Sequence, residues 1–297
     1  MSGTPGLFAY VIVGDHQVPR LNHSLDFLKH FTRCDIVVVA SRCTLPIHHE
    51  QVLRPEVADR WDDHRASILL KTNLYRVLGR PQASCCYLDS DVIAIDHQVD
   101  SIFRQKQGPV TFAPDHVRLA EFSRYAVRCG CQRGECDHLR QAIREKFGIG
   151  VADPNWQHWN GGVFVFGEES SGFLETWHEH TQAVFDDPYW NTRDQGTLVA
   201  TAWKYGLENQ PTLDGLFNYI VDPLRNLPIS DSERAGMRPP SYFVDTTYSL
   251  TPNGSVPHPH FVHFVNGSVG ASGWKNWDDA ATLLLHLKTA SAEGIKN

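Results

Sequence analysis

The chain has 297 residues, 41% of them hydrophobic, and a formal net charge of −7. That length suits two ordinary domains or one large α/β unit, and the apolar share can build a sizeable core. An acidic balance with no Lys/Arg-rich run argues against nucleic acid or an anionic membrane surface as the main partner.

The N-terminal stretch "MSGTPGLFAYVIVGDH" has no basic n-region, and its apolar run stops at Asp15. It reads as a first strand, Leu7–Val13, rather than a signal peptide. Leu21, Leu25 and Leu28 then recur at helical spacing, and "DIVVVA" predicts a second strand over Asp35–Ala40. Leu70, Leu74 and Leu78 predict one helix over Asp62–Leu78, and "SCCYL" a third strand over Ser84–Leu88. This β-α-β-α-β alternation implies parallel strands covered by helices. Later strands are expected at Pro109–Pro114, Gly162–Gly167 and His260–Val265. Helices are expected at about Gly172–Phe185, at Gln195–Tyr205 and from Asp278, with a Pro/Ser-rich loop at Leu227–Pro240. No run approaches the roughly 18 apolar residues of a membrane helix. Without repeats or a clean linker, one mixed α/β domain is the expected organisation.

Chemistry concentrates in "CCYLDSDVIAID", where Asp89 and Asp91 close an apolar run. Residues i and i+2 of a strand share a face, so the two carboxylates converge if the strand runs through them. At roughly 4 Å they repel by about 1–4 kcal/mol at effective dielectrics of 80 to 20. A divalent cation reverses that sign, and Mg²⁺ or Mn²⁺ would complete its shell with phosphate oxygens and water. A bare D-x-D is short and common, and a solvated strand end with helix-capping acids is the more frequent explanation of it. An apolar strand ending in D-x-D also suits a haloacid-dehalogenase-like phosphatase with Asp89 as nucleophile. That motif ordinarily lies on the first strand, whereas here two β-α units precede it.

The wider pattern resembles the retaining family 8 glycosyltransferases of GT-A fold. "YLDSDVIAID" is preceded by "LLKTNLY" and followed in order by "FAPD", "WNGGVFVFG", "RDQGTL" and "HFVNG". The resemblance spans about Phe8 to Trp277. It implies a Rossmann-like, mostly parallel central sheet with helices on both faces. It divides the chain into a nucleotide-sugar half (about 1–115), a Cys-rich insertion (about 116–150) and an acceptor-side half (about 151–297). The implied activity is metal-dependent transfer of a hexose from a nucleotide-diphosphate sugar, UDP-glucose or UDP-galactose, to an acceptor hydroxyl with retention. The acceptor would be a carbohydrate or glycosylated molecule. A transferase-like protein that binds a sugar nucleotide without turnover is the non-enzyme alternative. A homodimer is left open.

The same resemblance assigns Asp89, Asp91 and His263 to Mn²⁺, with Mg²⁺ as the alternative, and Ser90 to the donor site between the acids. Val13, Gly14 and Asp15 match the base-contacting loop, Lys71 a donor-contacting lysine, and Asp115 an acid near the donor sugar. Asn160, Gly161 and Gly162 match a strand start where backbone approaches the sugar or phosphate. Asp194 and Gln195 match a D-Q pair near the anomeric carbon, and Gly267 and Lys275 a glycine and lysine on the diphosphate. Two departures stand out. Gln17 replaces the aromatic that many members stack on uracil. The family's H-x-x-G-x-x-K spacing is stretched, with Gly267 one residue late and Lys275 later still.

"RCGCQRGECDH" places Cys129, Cys131, Cys136 and His138 in a C-x-C-x4-C-x-H spacing. Three cysteines and a histidine could enclose a structural Zn²⁺; reduced thiols in a loop before an ordinary helix are the alternative. Seven cysteines, an odd number in apolar or clustered settings, point to a reducing, cytoplasmic compartment.

Overall fold

The computed structural model describes residues 6–131, 135–221 and 259–264. The loop expected at Leu227–Pro240, Gly267, Lys275 and the helix expected from Asp278 lie outside these residues.

The first unit follows the predicted alternation: β1 (Leu7–Val13), α1 (Val18–Phe31), β2 (Asp35–Ser41), a two-residue β3 (Val52–Leu53), α2 (Asp63–Thr72), α3 (Leu74–Val77) and β4 (Cys85–Leu88). The expected single helix over Asp62–Leu78 breaks at Asn73. Thr72 bonds its hydroxyl back to the Ile68 carbonyl at 3.1 Å, which competes with the helical ladder. Asn73 then leaves helical geometry, with φ −95° and ψ 10°. Beyond β4 come β5 (Val92–Ala94), β6 (Val110–Arg118), α4 (Leu119–Ala126), α5 (His138–Phe147), β7 (Gln157–Phe166), α6 (Ser171–Ala183), α7 (Arg193–Lys204), β8 (Tyr219–Val221) and β9 (Phe261–Phe264).

The central sheet has strand order β3-β2-β1-β4-β7-β6. Strands β1 to β4 are mutually parallel, and β7 is antiparallel to both of its neighbours. Nearly unbroken apolar runs suit strands buried on both faces. In β1, Ala9, Val11 and Val13 enter one core while Phe8, Tyr10 and Ile12 enter the other. The first core receives α2 through α7: Leu70, Phe122, Ile143, Trp177 and Leu198 all pack there. The second receives α1, whose Leu21, Leu25 and Leu28 are fully buried, together with a small sheet of order β5-β9-β8. Helices thus cover both faces of the central sheet, with the small sheet sharing one of them. Among the described residues no helix is long and apolar enough to cross a membrane.

Two consequences position the site. The parallel strands β1 and β4 lie side by side, with Leu88 at the end of β4 paired to Tyr10 and β1 running on to Val13, and a crevice forms beyond such carboxyl ends. The small sheet sets β9 against β5, pairing His263 with Val92. A residue late in the chain therefore arrives next to the end of β4.

Candidate active site

β4 stops at Leu88, one residue before the acid pair. The two carboxylates are therefore not aligned by a continuing strand, as the i, i+2 pattern implied. Asp89, Ser90 and Asp91 form a turn in which the Val92 N–H donates to the Asp89 carbonyl at 3.1 Å. The turn is clamped at both ends: Asp89 N–H donates to the Gly162 carbonyl at 2.8 Å, and Phe264 N–H to the Asp91 carbonyl at 3.0 Å. These backbone bonds to β7 and β9 aim both carboxylates at His263.

A carboxylate oxygen from each of Asp89 and Asp91 and a ring nitrogen of His263 lie within 4.8 Å of one another. His263 Nε2 is 3.4 Å from Asp91 Oδ1. Its Nδ1 is 2.8 Å from Asn218 Oδ1, so the amide oxygen accepts the Nδ1 proton and orients the ring. Burial alone would lower the His263 pKa, but its bond to Asp91 and the nearby acids outweigh that and raise it. Asp91 moves the opposite way: burial would raise it, while His263 and Arg20 hold it below the ordinary carboxylate range. Arg20 Nη1 lies 3.6 Å from Asp91 Oδ2.

A second ion cluster adjoins the first. Lys71, buried on α2, has its Nζ 3.1 Å from Asp194 Oδ2 and 3.6 Å from Asp89 Oδ1. Burial favours its neutral form, yet Asp89 and Asp194 overcome this and keep it charged. Asp194 lies in the first turn of α7, and the Trp177 indole N–H anchors its carbonyl at 2.8 Å. Its side chain is held ionised by Lys71 against the cost of burial. The next residue, Gln195, accepts the Gly161 N–H through Oε1 at 3.2 Å.

β7 carries the third part. Asn160 Oδ1 accepts from the Gly162 N–H at 2.8 Å, and its Nδ2 donates to Asp115 Oδ2 at 2.9 Å. Asp115 is buried in β6. His116, 2.9 Å away, and Asn160 keep it ionised although burial opposes this. Asp115 thus positions Asn160, and Asn160 fixes the backbone at Gly162.

Gly162 has no room for a side chain. A Cβ there would lie 2.4 Å from His263 Cε1 and 2.8 Å from Asp89 Oδ2. Gly162→Ala is therefore expected to spread the Asp89–His263 pair. We expect metal affinity to fall at least tenfold, with a stability loss of about 1–3 kcal/mol. Mn²⁺ titration and thermal melting of the variant check this. Unchanged metal affinity would mean that the glycine only serves the turn.

Lys71, Asp89, Ser90, Asp91, Asp194 and Gln195 line one cleft of about 340 Å³, together with Val11, Gln17, Arg20, His64, Ser67, Ile68, Tyr87, Asn191 and Thr192. Asn160, Gly161, Gly162 and His263 pack directly behind these groups. Val13, Gly14 and Asp15 are not part of this lining. Gly14 takes a left-handed turn, φ 83°, and the Asp15 carboxylate accepts the backbone N–H groups of Thr44 and Leu45 at 2.6 and 2.9 Å. Gln17, just after that loop, and Arg20, on α1, reach the cleft instead.

Sequence reasoning missed four residues. Arg20 carries no motif, although its place on α1 just after the β1 loop is a usable signal. Asn218 is separated from every motif and becomes visible only through its bond to His263. Tyr87 donates to Asp89 from inside the strand, where it looks like an ordinary core aromatic. His158 is fully buried against Phe122, with ring centroids 3.9 Å apart; burial pushes its pKa down to about 4 and keeps it neutral.

No protein-family model and no curated protein matches this sequence. Solved structures do resemble it. One is a galactosyltransferase, LgtC, in complex with donor and acceptor sugar analogs: TM-score 0.55 and 10% identity, over 96% of this chain and 95% of that one. An active-site mutant of LgtC gives a TM-score of 0.53 and 11% identity, over 96% and 95%. The bifunctional glycosyltransferase WbbM in its apo form gives 0.56 and 10%, over 98% of this chain and 51% of that one. The chain has the fold of the GT-A glycosyltransferases.

Proposed function

We propose that this protein is a retaining glycosyltransferase that moves a hexose from a nucleotide-diphosphate sugar, UDP-glucose or UDP-galactose, to the hydroxyl of a carbohydrate or glycosylated acceptor. The observation that carries the reading is the meeting of Asp89, Asp91 and His263 at the wall of a cleft that also holds Lys71, Asp194 and Gln195.

The donor set fits a divalent cation. Two carboxylate oxygens and an imidazole nitrogen favour Mn²⁺ over Mg²⁺. The missing Cβ at Gly162 leaves Asp89 and His263 room to approach. When bound, the metal supplies positive charge to the diphosphate that leaves with the nucleoside. The other contributions belong to the chain. Arg20 and Lys71 add positive charge at the cleft, where a developing phosphate anion needs it. Gln195, tied to Gly161, orients the sugar ring. Asp115 and Asn160 hold the β7 backbone against the donor.

Asp194 is the candidate carboxylate for attack on the anomeric carbon, but its buried pairing with Lys71 makes it a poor nucleophile. We therefore favour attack from the leaving-group face. The anomeric C–O bond to phosphate breaks, the acceptor oxygen bonds to that carbon, and the departing phosphate oxygen takes the acceptor proton. A glycosyl ester trapped on Asp194 would overturn this route.

The donor half is taken as about 1–115 and the acceptor half as about 151–297. The free state of all seven cysteines suits a reducing, cytoplasmic setting. The test is a thermal-shift and turnover screen of nucleotide sugars. A UDP-hexose is expected to raise the melting temperature only with Mn²⁺ present, by the equivalent of about 2.7 kcal/mol at a hundred times Kd. Release of UDP should accompany the shift. A metal-dependent shift without UDP release, with or without acceptor, would instead identify a binding protein.

A further inference from the structure

Cys129, Cys131, Cys136 and His138 lie outside the donor cleft, and the transfer reading gives them no task. We propose that they form a structural Zn²⁺ site that ties the end of α4 to the start of α5 and braces one wall of the cleft.

The geometry suits that ion. One ligand atom from each of the four residues lies within 4.8 Å of the others. Cys129 Sγ and Cys136 Sγ are 3.9 Å apart, and Cys131 Sγ is 3.8 Å from His138 Nδ1. Tetrahedral Zn²⁺ with Zn–S near 2.3 Å puts sulfur ligands roughly 3.8 Å apart, with a slightly shorter S–N edge. A disulfide needs sulfurs at about 2.05 Å, and the cysteines are free. Binding releases the three thiol protons to solvent.

The surroundings hold these ligands in place. Cys136 N–H donates to the Ala120 carbonyl at 3.0 Å. Ser123 Oγ accepts the Leu139 N–H at 2.9 Å and the Cys136 S–H at 3.1 Å. Once metal binding removes the thiol proton, the Ser123 hydroxyl can turn its own proton to the Cys136 thiolate, the kind of support that metal ligands usually have. His138 opens α5, whose helix dipole also favours thiolates nearby.

The site reaches the cleft through the backbone. Arg128 N–H donates to the Tyr189 carbonyl at 2.8 Å, and Asn191 N–H to the Ala126 carbonyl at 2.8 Å. Asn191 and Thr192 line the cleft just before Asp194.

Elemental analysis of the purified full chain, after dialysis against EDTA, is the test. One zinc per chain is expected, retained in Asp91→Asn and in Cys43→Ser but lost in Cys131→Ser and Cys136→Ser. Because a cysteine variant can fail by misfolding, the wild type carries a second measurement. X-ray absorption at the zinc edge should show three sulfur neighbours and one nitrogen. Zinc with only nitrogen and oxygen neighbours would place it at Asp89, Asp91 and His263 and overturn the proposal. So would zinc-free protein with the Cys129, Cys131 and Cys136 thiols reactive, or a Cys129–Cys136 disulfide found by mass spectrometry. None of these outcomes depends on transferase activity.

Discussion

Asp91→Asn is expected to lower sugar transfer by about a thousandfold, some 4 kcal/mol of transition-state stabilisation, and to abolish the Mn²⁺-dependent thermal shift. Asparagine keeps the shape of the side chain but not its charge. The Asp91 carboxylate faces the Arg20 guanidinium at 3.6 Å and the His263 imidazole at 3.4 Å. With the charge gone, the remaining oxygen ligand with formal charge is Asp89, which Lys71 also contests. Cation affinity should collapse because the anionic half of the donor set is cut. The fold should survive, since the Asp91 backbone still accepts from Phe264 N–H. Transfer assays over a Mn²⁺ series, paired with melting curves, measure both parts. A variant that keeps a full metal-dependent shift would remove Asp91 from the metal site.

Lys71→Met tests the second cluster, and here the largest effect falls on stability. Methionine fills similar space but leaves Asp194 and Asp89 without their shared cation. Removing one partner of a buried ion pair costs about 3–5 kcal/mol. The sign with pH follows from Asp194. In the native protein its pKa lies below the ordinary value, so it contributes stability above that value and loses it as pH falls through the folded pKa. Without Lys71, burial dominates and raises the carboxyl. The deficit should then be greatest near neutral pH and shrink as acid protonates Asp194. Melting temperatures of both proteins from neutral to acidic pH check this, and a gap constant across that range would contradict it. Transfer should also fall, by about a hundredfold, if Lys71 stabilises the departing diphosphate.

Much of the first hundred residues was legible because the physics there is local. β1, β2 and β4 are short apolar runs whose alternate side chains enter two cores, and such runs announce themselves in sequence. α1 shows its buried stripe at Leu21, Leu25 and Leu28. The break at Asn73 was less legible. The apolar stripe continues through it, and neither glycine nor proline marks the break.

The candidate site divides in the same way. Asp89, Asp91, Lys71, Asp194 and Gln195 stood in short motifs, and the fold brings all five to one cleft. Asp15 also stood in a motif, yet its carboxylate bonds to the Thr44–Leu45 loop, a preference that depends on a neighbour far along the chain. Arg20 and Asn218 had no motif, because their roles come from contacts across elements.

By itself, the sequence determined the residue types that can hold a cation, the order of strands and helices leading to them, and the apolar alternation that buries the central sheet on both sides. Those properties follow from side-chain chemistry and near-neighbour periodicity. The tertiary structure alone decided that β4 ends before the acids, that β7 and β9 clamp their turn, and that Arg20 reaches Asp91 and Asn218 reaches His263. These depend on strand pairings between distant segments, and the free energy of such pairings is set by the packing of the whole core rather than by any local run of residues.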